Sequence, residues 1–377
     1  MKQYKLFAAT ATLVGTVIGA GVLGIPYVIA KSGFLTAMID LFLIAFLILM
    51  VNLFIGEVVL RTKGNHQLTG YAEKYLGKWG KGFMLFSMIV GIYGALIAYT
   101  IGSGQALSAI FTNISPFIFS LIFFAICSAL VYIGMREIKK AEAIVMIIVI
   151  VIVLMIAILS FINPNFSLNN LSEFNLTKIA IPYGVILFAF IGAAAIPEMK
   201  EQLTQNRKLM KKAIIFGSLI PLVLYFIFAF AVVGISGTAT TEIATIGLGT
   251  FLGQKAFILG NLFALAAMFT SFLTLGLALK GVYNYDYKMK LHYSWALTCL
   301  VPLVVFLLGI TGFVKILGIS GALAGGVEGI VFALMFWKAK KMGDRKPEFS
   351  LGNQRFVGIL IMVIFTLGII YQLFHLW

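Results

Sequence analysis

Two glycine-rich stretches share a pattern that would expose backbone amides and carbonyls to a bound molecule. The first is GTVIGAGVLGIPY, residues 15–27, and the second is FAFIGAAAIPEM, residues 188–199. Each contains Ile-Gly-Ala and then Ile-Pro. Glycine and proline both disfavour the interior of a helix, so we predict that the helix unwinds in each stretch. The alternative is that the small residues only let neighbouring helices pack closely.

The atoms that such breaks release would suit a zwitterion. Amides at the start of a helical segment attract a carboxylate, and carbonyls at the end of one attract an ammonium group or a cation. No Asp, Glu, Lys or Arg lies in residues 19–24 or 190–197, which favours a neutral amino acid. The candidate substrate-binding residues of the two breaks are Gly19, Ala20, Gly21, Val22, Phe190, Ile191, Gly192 and Ala193.

The composition of the sequence predicts the kind of helices in which these breaks lie. The 377 residues are 61% hydrophobic and only 11% charged, which excludes a soluble enzyme and a disordered chain. Apolar stretches recur along the whole sequence, each about the ~20 residues that a helix needs to cross a bilayer. We therefore predict an all-α polytopic membrane protein with eleven spans. Their approximate bounds are residues 6–30, 35–60, 83–111, 116–134, 141–162, 178–199, 212–236, 256–281, 293–311, 314–337 and 356–376.

The basic residues predict the orientation of the spans. When the N-terminus is placed inside, all 28 Lys and Arg residues except four fall in inner loops. The four exceptions are Lys31, Lys178, Lys255 and Lys315. Basic residues collect on the cytoplasmic side, so we expect a cytoplasmic N-terminus and an extracytoplasmic C-terminus in the plasma membrane. The net charge of +15 is explained in this way without a nucleic-acid partner.

At this point the sequence resembles a known family. The first break, together with the broken sixth span, is similar to the amino acid–polyamine–organocation superfamily, which has the LeuT fold. Within it, four further stretches resemble the hydroxy and aromatic amino acid permeases and the related amino acid–auxin permeases. The four stretches are YAEKYLGKWGKGF (71–83), YGALIAYTIGSGQAL (93–107), GSLIPLVLY (217–225) and TSFLTLGLALKG (270–281). The resemblance covers about residues 6–285.

The resemblance implies a LeuT-like 5+5 inverted repeat with broken helices 1 and 6. The two repeats would cover about residues 6–162 and 178–337, followed by an extra helix at about 356–376. The whole chain, residues 1–377, would then form one transmembrane domain. Spans 1 and 6 occupy matching positions in the two repeats and cross in opposite directions, as inverted repeats require.

The resemblance also implies a site for a coupling ion. It would consist of the span 1 carbonyls of Gly15 and Ile18, the span 8 carbonyl of Ala267, and the hydroxyls of Thr270 and Ser271. Five neutral oxygens suit Na⁺. Alternatively, Thr and Ser hydroxyls in a membrane helix often bond to their own backbone. Members of this family are usually described as proton symporters, so Na⁺ and H⁺ both stay open; no cofactor and no transition metal are expected.

Several other side chains are candidates for the pocket or for coupling. From span 3, a hydroxyl of Tyr93 or Tyr99 could bond the substrate carboxylate. An ionisable side chain within a membrane span needs a partner or a function. Two acidic residues meet this description, Glu198 and Glu328. Glu198 could carry a proton or form a gate, or it could pair with Lys200, and Glu328 could carry a proton. Asp286 could pair with Lys2 or Lys5 as a gate, by analogy with the fold.

Together these features predict a secondary transporter. We expect cation-coupled symport of neutral amino acids with aromatic or other bulky side chains, by alternating access. An exchanger, or a membrane sensor that binds such a ligand without transporting it, remains the alternative. An enzyme is not expected, because no His, Asp or Glu constellation lies at either break. The expected partners are an amino acid and the lipid bilayer, with no prediction of the oligomeric state.

Overall fold

The computed structural model describes residues 2–134, 138–309 and 312–375, without the side chains of 2, 138–146, 285 and 286. This part of the chain is helical, with no β-strand. The α-helices are α1 (Lys2–Val17), α2 (Ile25–Ser32), α3 (Phe34–Arg61), α4 (Leu68–Ile110), α5 (Pro116–Ile133), α6 (Ile138–Phe161), α7 (Tyr183–Phe190), α8 (Ala195–Gln202), α9 (Met210–Ser236), α10 (Ala244–Gly247), α11 (Gly249–Leu252), α12 (Gln254–Gly281), α13 (Leu291–Leu307), α14 (Phe313–Ser320), α15 (Gly326–Met342) and α16 (Arg355–Phe374). Short 3₁₀ turns occupy Ala20–Leu23, Leu168–Leu171, Leu176–Lys178, Arg207–Leu209 and Gly237–Ala239, and π turns occupy Val282–Asp286 and Gly321–Gly325.

The apolar helices confirm a multi-span membrane protein. Within the described residues, eight helical segments are long and apolar enough to cross a membrane, and the bent pair Gln3–Val17 with Ala20–Ser32 makes a ninth. Two shorter apolar helices, Ile147–Phe161 and Leu291–Leu307, fall at the predicted spans 5 and 9. Each predicted span thus corresponds to a helix or a helix pair. In order, spans 1 to 11 are α1 with α2, α3, α4, α5, α6, α7 with α8, α9, α12, α13, α14 with α15, and α16.

Two groups of spans can be distinguished, and they contact each other through α3 with α15 and α7 with α14 as well as at the break in span 1. In the first group, α9 contacts α1, α2 and α3, and α3 also contacts α7 and α8. The second group surrounds α4, which contacts α5, α12, α14 and α15. The 3₁₀ turn of span 1 touches α7 from the first group and α12 from the second. The broken part of span 1 therefore lies between the groups. The bounds of the two sequence repeats stay a prediction.

The long α4 begins with a segment that precedes span 3. Gly77 has φ 72° and ψ −162°, so the chain kinks there, a backbone conformation that suits glycine. The segment before the kink packs its aromatic side chains on the protein. Tyr75 shares a hydrogen bond of 2.7 Å with the hydroxyl of Thr62, and Tyr71 is fully buried. This segment is thereby fixed to the end of span 2.

Span 10 is also interrupted, at a position that the sequence analysis did not identify. The π turn at Gly321–Gly325 separates α14 from α15. A Cβ on Gly321 would lie 2.0 Å from the carbonyl oxygen of Gly184, at the start of span 6. Glycine is therefore required for this approach of the two backbones. Single π turns in α-helices are frequent at functional sites, and this one directly precedes the helical turn that carries Glu328.

Candidate substrate and ion site

The predicted break in span 1 is present. Helix α1 ends at Val17 and α2 begins at Ile25, with the 3₁₀ turn Ala20–Leu23 between them. Gly19 is extended, with φ −128° and ψ −159°, and the two halves of the span are bent by 54°. The four residues of the turn are buried.

The hydrogen bonds of this turn leave its first amides available. The amide of Val22 donates to the carbonyl of Gly19 at 3.3 Å, and that of Gly24 donates to Gly21 at 3.2 Å. In the described part of the chain, no backbone hydrogen bond uses the amides of residues 19–21. These amides begin the second half of span 1, where the positive end of the helix dipole adds to their attraction for a carboxylate.

The predicted break in span 6 is present as well. Helix α7 ends at Phe190, Ile191 is extended with φ −62° and ψ 121°, and α8 begins at Ala195. The amide of Ile191 still donates to Phe188 at 3.3 Å. Among the described residues, no backbone amide donates to the carbonyl oxygens of Phe190 and Ile191. These are the carbonyls that the sequence analysis assigned to an ammonium group or a cation.

Tyr225, in the middle of span 7, connects the two breaks. Its hydroxyl lies 2.9 Å from the carbonyl oxygen of Val17, the last residue of α1. The same hydroxyl lies 3.0 Å from the carbonyl oxygen of Ala189, near the end of α7. Tyr225 is fully buried, and its ring packs on Phe190 with centroids 5.1 Å apart. One side chain thus satisfies backbone acceptors from both broken helices.

The small residues at the breaks bring spans 1 and 6 into direct contact. A Cβ on Gly21 would lie 3.1 Å from the Cα of Ala189, and a Cβ on Gly192 would lie 2.4 Å from a methyl group of Val17. The cavity beside the span 6 break measures only about 10 Å³, about the least that holds one water molecule. Unwinding and close packing therefore occur together. In this conformation the space beside the span 6 break is too small for an amino acid with a bulky side chain.

Of the candidate ion-binding residues of span 8, Ser271 lies beside the break in span 1. A Cβ on Gly19 would lie 3.6 Å from the hydroxyl oxygen of Ser271. The hydroxyl of Thr270 donates to the carbonyls of Ala266 and Ala267, at 3.1 and 3.2 Å. A hydroxyl that donates its proton to its own helix still has lone pairs for a cation. The Thr270 hydroxyl therefore bonds to its own helix, as the alternative to an ion site predicted. Its lone pairs remain able to bind an ion.

The two span 3 tyrosines lie in different surroundings. The hydroxyl of Tyr93 is 2.9 Å from the hydroxyl of Tyr283 and 2.9 Å from the carbonyl of Leu297, so it connects span 3 to spans 8 and 9. Tyr99 is buried and lies near enough to Tyr225 for an electrostatic interaction. Of the two, Tyr99 is the one that the structure places near the breaks.

The candidate acidic residues Glu328 and Glu198 lie in different parts of the structure. Glu328 is 9% exposed and lines the small cavity beside Gly192 and Ala193, so the fold brings it to the span 6 break. Glu198 is exposed and lies 3.5 Å from the side-chain amide of Gln202, whose other partner is Thr12 in α1. The ammonium group of Lys200 instead contacts backbone carbonyls and Tyr71. The side chain of Asp286 lies outside the described residues.

Two residues of the first group were missed by the sequence analysis. Tyr225 lacked a signal, because a tyrosine in an apolar span is usually part of the packing. Asp40 in span 2 did carry one, since a carboxyl within an apolar run needs a partner or a function. Asp40 is 7% exposed, and its Oδ2 atom has no hydrogen-bond partner in the described structure. It interacts electrostatically with Tyr183 at the start of span 6.

Solved structures show the class of protein that this fold and these breaks define. MhsT, solved in complex with L-phenylalanine, matches with a TM-score of 0.70 over 98% of each chain, at 14% sequence identity. The likeness at this identity concerns the fold. The chain is a LeuT-fold membrane protein with broken helices 1 and 6, as the sequence predicted.

Sequence comparison then identifies the family. The model of the tryptophan/tyrosine permease family matches residues 2–374, and the chain belongs to that family. Glutamine transporter 2 of Aliivibrio fischeri is 27% identical over 337 residues, 85% of this chain and 86% of the relative. Tyrosine-specific transport system 1 of Haemophilus influenzae is 25% identical over 393 residues, 97% of this chain and 95% of the relative. These relatives are transport proteins, and the resemblance to aromatic amino acid permeases is confirmed.

Proposed function

We propose that this chain is a symporter for neutral amino acids with aromatic or other bulky side chains. The observation that carries the proposal is the pair of breaks with available amides at residues 19–21 and available carbonyls at Phe190 and Ile191. The amides would bind the substrate carboxylate and the carbonyls its ammonium group. Membership of the tryptophan/tyrosine permease family supports an aromatic side chain.

Transport would proceed by alternating access. The close contact of Gly21 with Ala189 and of Gly192 with Val17 corresponds to a conformation in which the two breaks are packed together. Substrate would enter when the helices around the two breaks move apart, and it would be enclosed when they close again. We place the N-terminus on the cytoplasmic side of the plasma membrane, on the basis of the basic loops.

The coupling ion would bind at one of two places. Na⁺ would be held by the carbonyls of Gly15, Ile18 and Ala267 and by the hydroxyls of Thr270 and Ser271, which fits the approach of Ser271 to the first break. A proton would be carried by Glu328, which fits its position beside the second break. Each alternative predicts a different driving gradient.

Uptake of radiolabelled amino acids into proteoliposomes tests the proposal. The panel should contain tyrosine, tryptophan, phenylalanine and glutamine, each under a sodium gradient alone and a proton gradient alone. Accumulation of an aromatic amino acid under one gradient would establish symport and identify the ion. Accumulation of none of the panel under either gradient would contradict the proposal.

Exchange is the second candidate function. An exchanger uses the same breaks but needs an amino acid on both sides, so it would respond to preloaded substrate and to neither ion gradient. Glutamine is the second candidate substrate, because one relative is a glutamine transporter. The same panel, repeated with preloaded vesicles, separates these candidates from symport of aromatic amino acids.

A further inference from the structure

A basic cavity lies away from the breaks, at the ends of spans 2, 6, 7 and 10. Its volume is about 370 Å³. The loop 62–65, which follows span 2, forms one wall, and the side chains of Lys200, Arg207 and Arg345 complete it. With Lys63 in the loop, four basic residues and no carboxylate line the cavity. Three segments distant in sequence, namely residues 62–65, residues 200–207 and Arg345, thus bring basic residues to one place.

Lys200 is the buried member of this group. It is 2% exposed, although it carries an ammonium group in the second half of span 6. That group donates to the carbonyls of Thr62 and Gly64 and to the hydroxyl of Tyr71. All three acceptors are neutral. A buried charge is normally paired with an opposite charge, so these contacts leave the ammonium group without full compensation.

The guanidinium groups have different surroundings. Arg345 donates to Glu348 at 2.7 Å and to the carbonyl of Leu60 at 2.9 Å, so its charge is largely balanced. The Nε atom of Arg207 is buried and has no hydrogen-bond partner in the described structure. Arg207 begins the 3₁₀ turn Arg207–Leu209, which leads into α9.

The acidic residues near this cavity are either exposed or paired with other basic side chains. Glu201, next to Lys200, and Glu348 are the carboxylates that interact electrostatically with the ammonium group. Glu201 is exposed, and Glu348 is paired with Arg345. Asp344 is paired with Lys74 and also accepts a hydrogen bond of 3.0 Å from the backbone amide of Lys63. The lining itself therefore keeps unbalanced positive charge.

We propose that this cavity is a binding site for a phosphate group, separate from the transported substrate. The Arg207 guanidinium group as a donor, with the charges of Lys63 and Lys200 at the same cavity, matches the oxygens and the charge of a phosphate. The group belongs either to a free phosphate or to the headgroup of an anionic lipid. Its binding connects the second half of span 6, through Lys200, to the loop after span 2 and the start of span 7. Bound phosphate thereby stabilises the conformation in which these segments are together.

Thermal unfolding of the purified full-length protein tests this site. In detergent, inorganic phosphate replaces chloride at constant ionic strength, and Tm is followed against phosphate concentration. In a second arm, nanodiscs of phosphatidylcholine are compared with nanodiscs that also contain phosphatidylglycerol. A saturable rise of Tm in detergent identifies a free anion, and a rise confined to phosphatidylglycerol identifies a lipid headgroup.

Matched variants assign the effect to the cavity. In Arg207→Gln we expect the phosphate affinity to fall about tenfold, as loss of a charge-assisted hydrogen bond does. The control Lys208→Gln removes the same charge one position away, at an exposed residue outside the lining. Lys63→Gln, with the exposed Lys78→Gln as its control, repeats the comparison if Arg207→Gln does not fold. Equal responses of variant and control, or no response of the wild type to either anion, would overturn the proposal.

Discussion

The hydroxyl of Tyr225 lies 2.9 Å from the carbonyl oxygen of Val17, at the end of the first half of span 1. It also lies 3.0 Å from the carbonyl of Ala189 in span 6. A hydroxyl donates a single proton, so it can satisfy these two acceptors only in turn or by sharing. Through Tyr225, span 7 therefore contacts both breaks. Any movement that separates the two carbonyls breaks a contact with Tyr225.

Tyr225→Phe should therefore affect both stability and transport. The change leaves two buried carbonyls without their donor, which should lower the free energy of unfolding by about 1–3 kcal/mol. We also expect a lower maximal rate of uptake, because the breaks lose their common contact. The measurements are Tm in detergent and initial uptake rates in proteoliposomes. Tyr293→Phe, at an exposed tyrosine, is the control and should leave both unchanged.

Ser271→Ala combined with Thr270→Ala tests the sodium site. If Na⁺ binds there, the double variant should need about tenfold more sodium for half-maximal uptake, since two of five ligands are lost. Thr298→Ala is a suitable control, because Thr298 bonds to its own helix in the same way, at 2.8 Å, but lies in span 9. A sodium dependence that is the same in the double variant and the wild type would exclude this site.

Glu328→Gln tests the proton alternative. Glutamine keeps the shape of the side chain but cannot carry a proton, so uptake driven by a proton gradient should fall by about tenfold or more. Uptake driven by a sodium gradient, if present, should stay within about twofold. Glu73→Gln, at an exposed glutamate in the segment before span 3, is the control. If proton-driven uptake survives in Glu328→Gln, the proton is carried elsewhere, and Asp40 becomes the next residue to substitute.

Gly21→Leu tests the break in span 1. Even a Cβ at this position would lie 3.1 Å from the backbone of Ala189, so a leucine must push spans 1 and 6 apart. We expect binding of amino acid substrate to be lost, measured by scintillation proximity with purified protein. Gly82→Leu is the control, since a Cβ on Gly82 meets no atom within 4 Å. Normal substrate binding by Gly21→Leu would show that this glycine serves helix packing only.

The sequence by itself determined the class of protein, its succession of apolar spans and the places where spans 1 and 6 break. These features are local. Hydropathy is a property of each apolar stretch, and glycine and proline act on the backbone within one or two turns. For this reason the predicted interruptions agree with the end of α1 at Val17 and of α7 at Phe190. The interruption of span 10 has glycines too, but the close approach of Gly321 to the carbonyl of Gly184 is visible only in the tertiary structure.

Only the tertiary structure decided which side chains serve the breaks. Tyr225 and Val17 are 208 positions apart, and Lys200 and Thr62 are 138 positions apart. Such pairs depend on which faces of the helices pack together, and sequence spacing carries no information about that. The same reason explains why Tyr93 connects to spans 8 and 9, whereas Tyr99 lies near Tyr225. The residues of each span determine where its backbone breaks, whereas the packing of the spans determines the partners of buried polar groups.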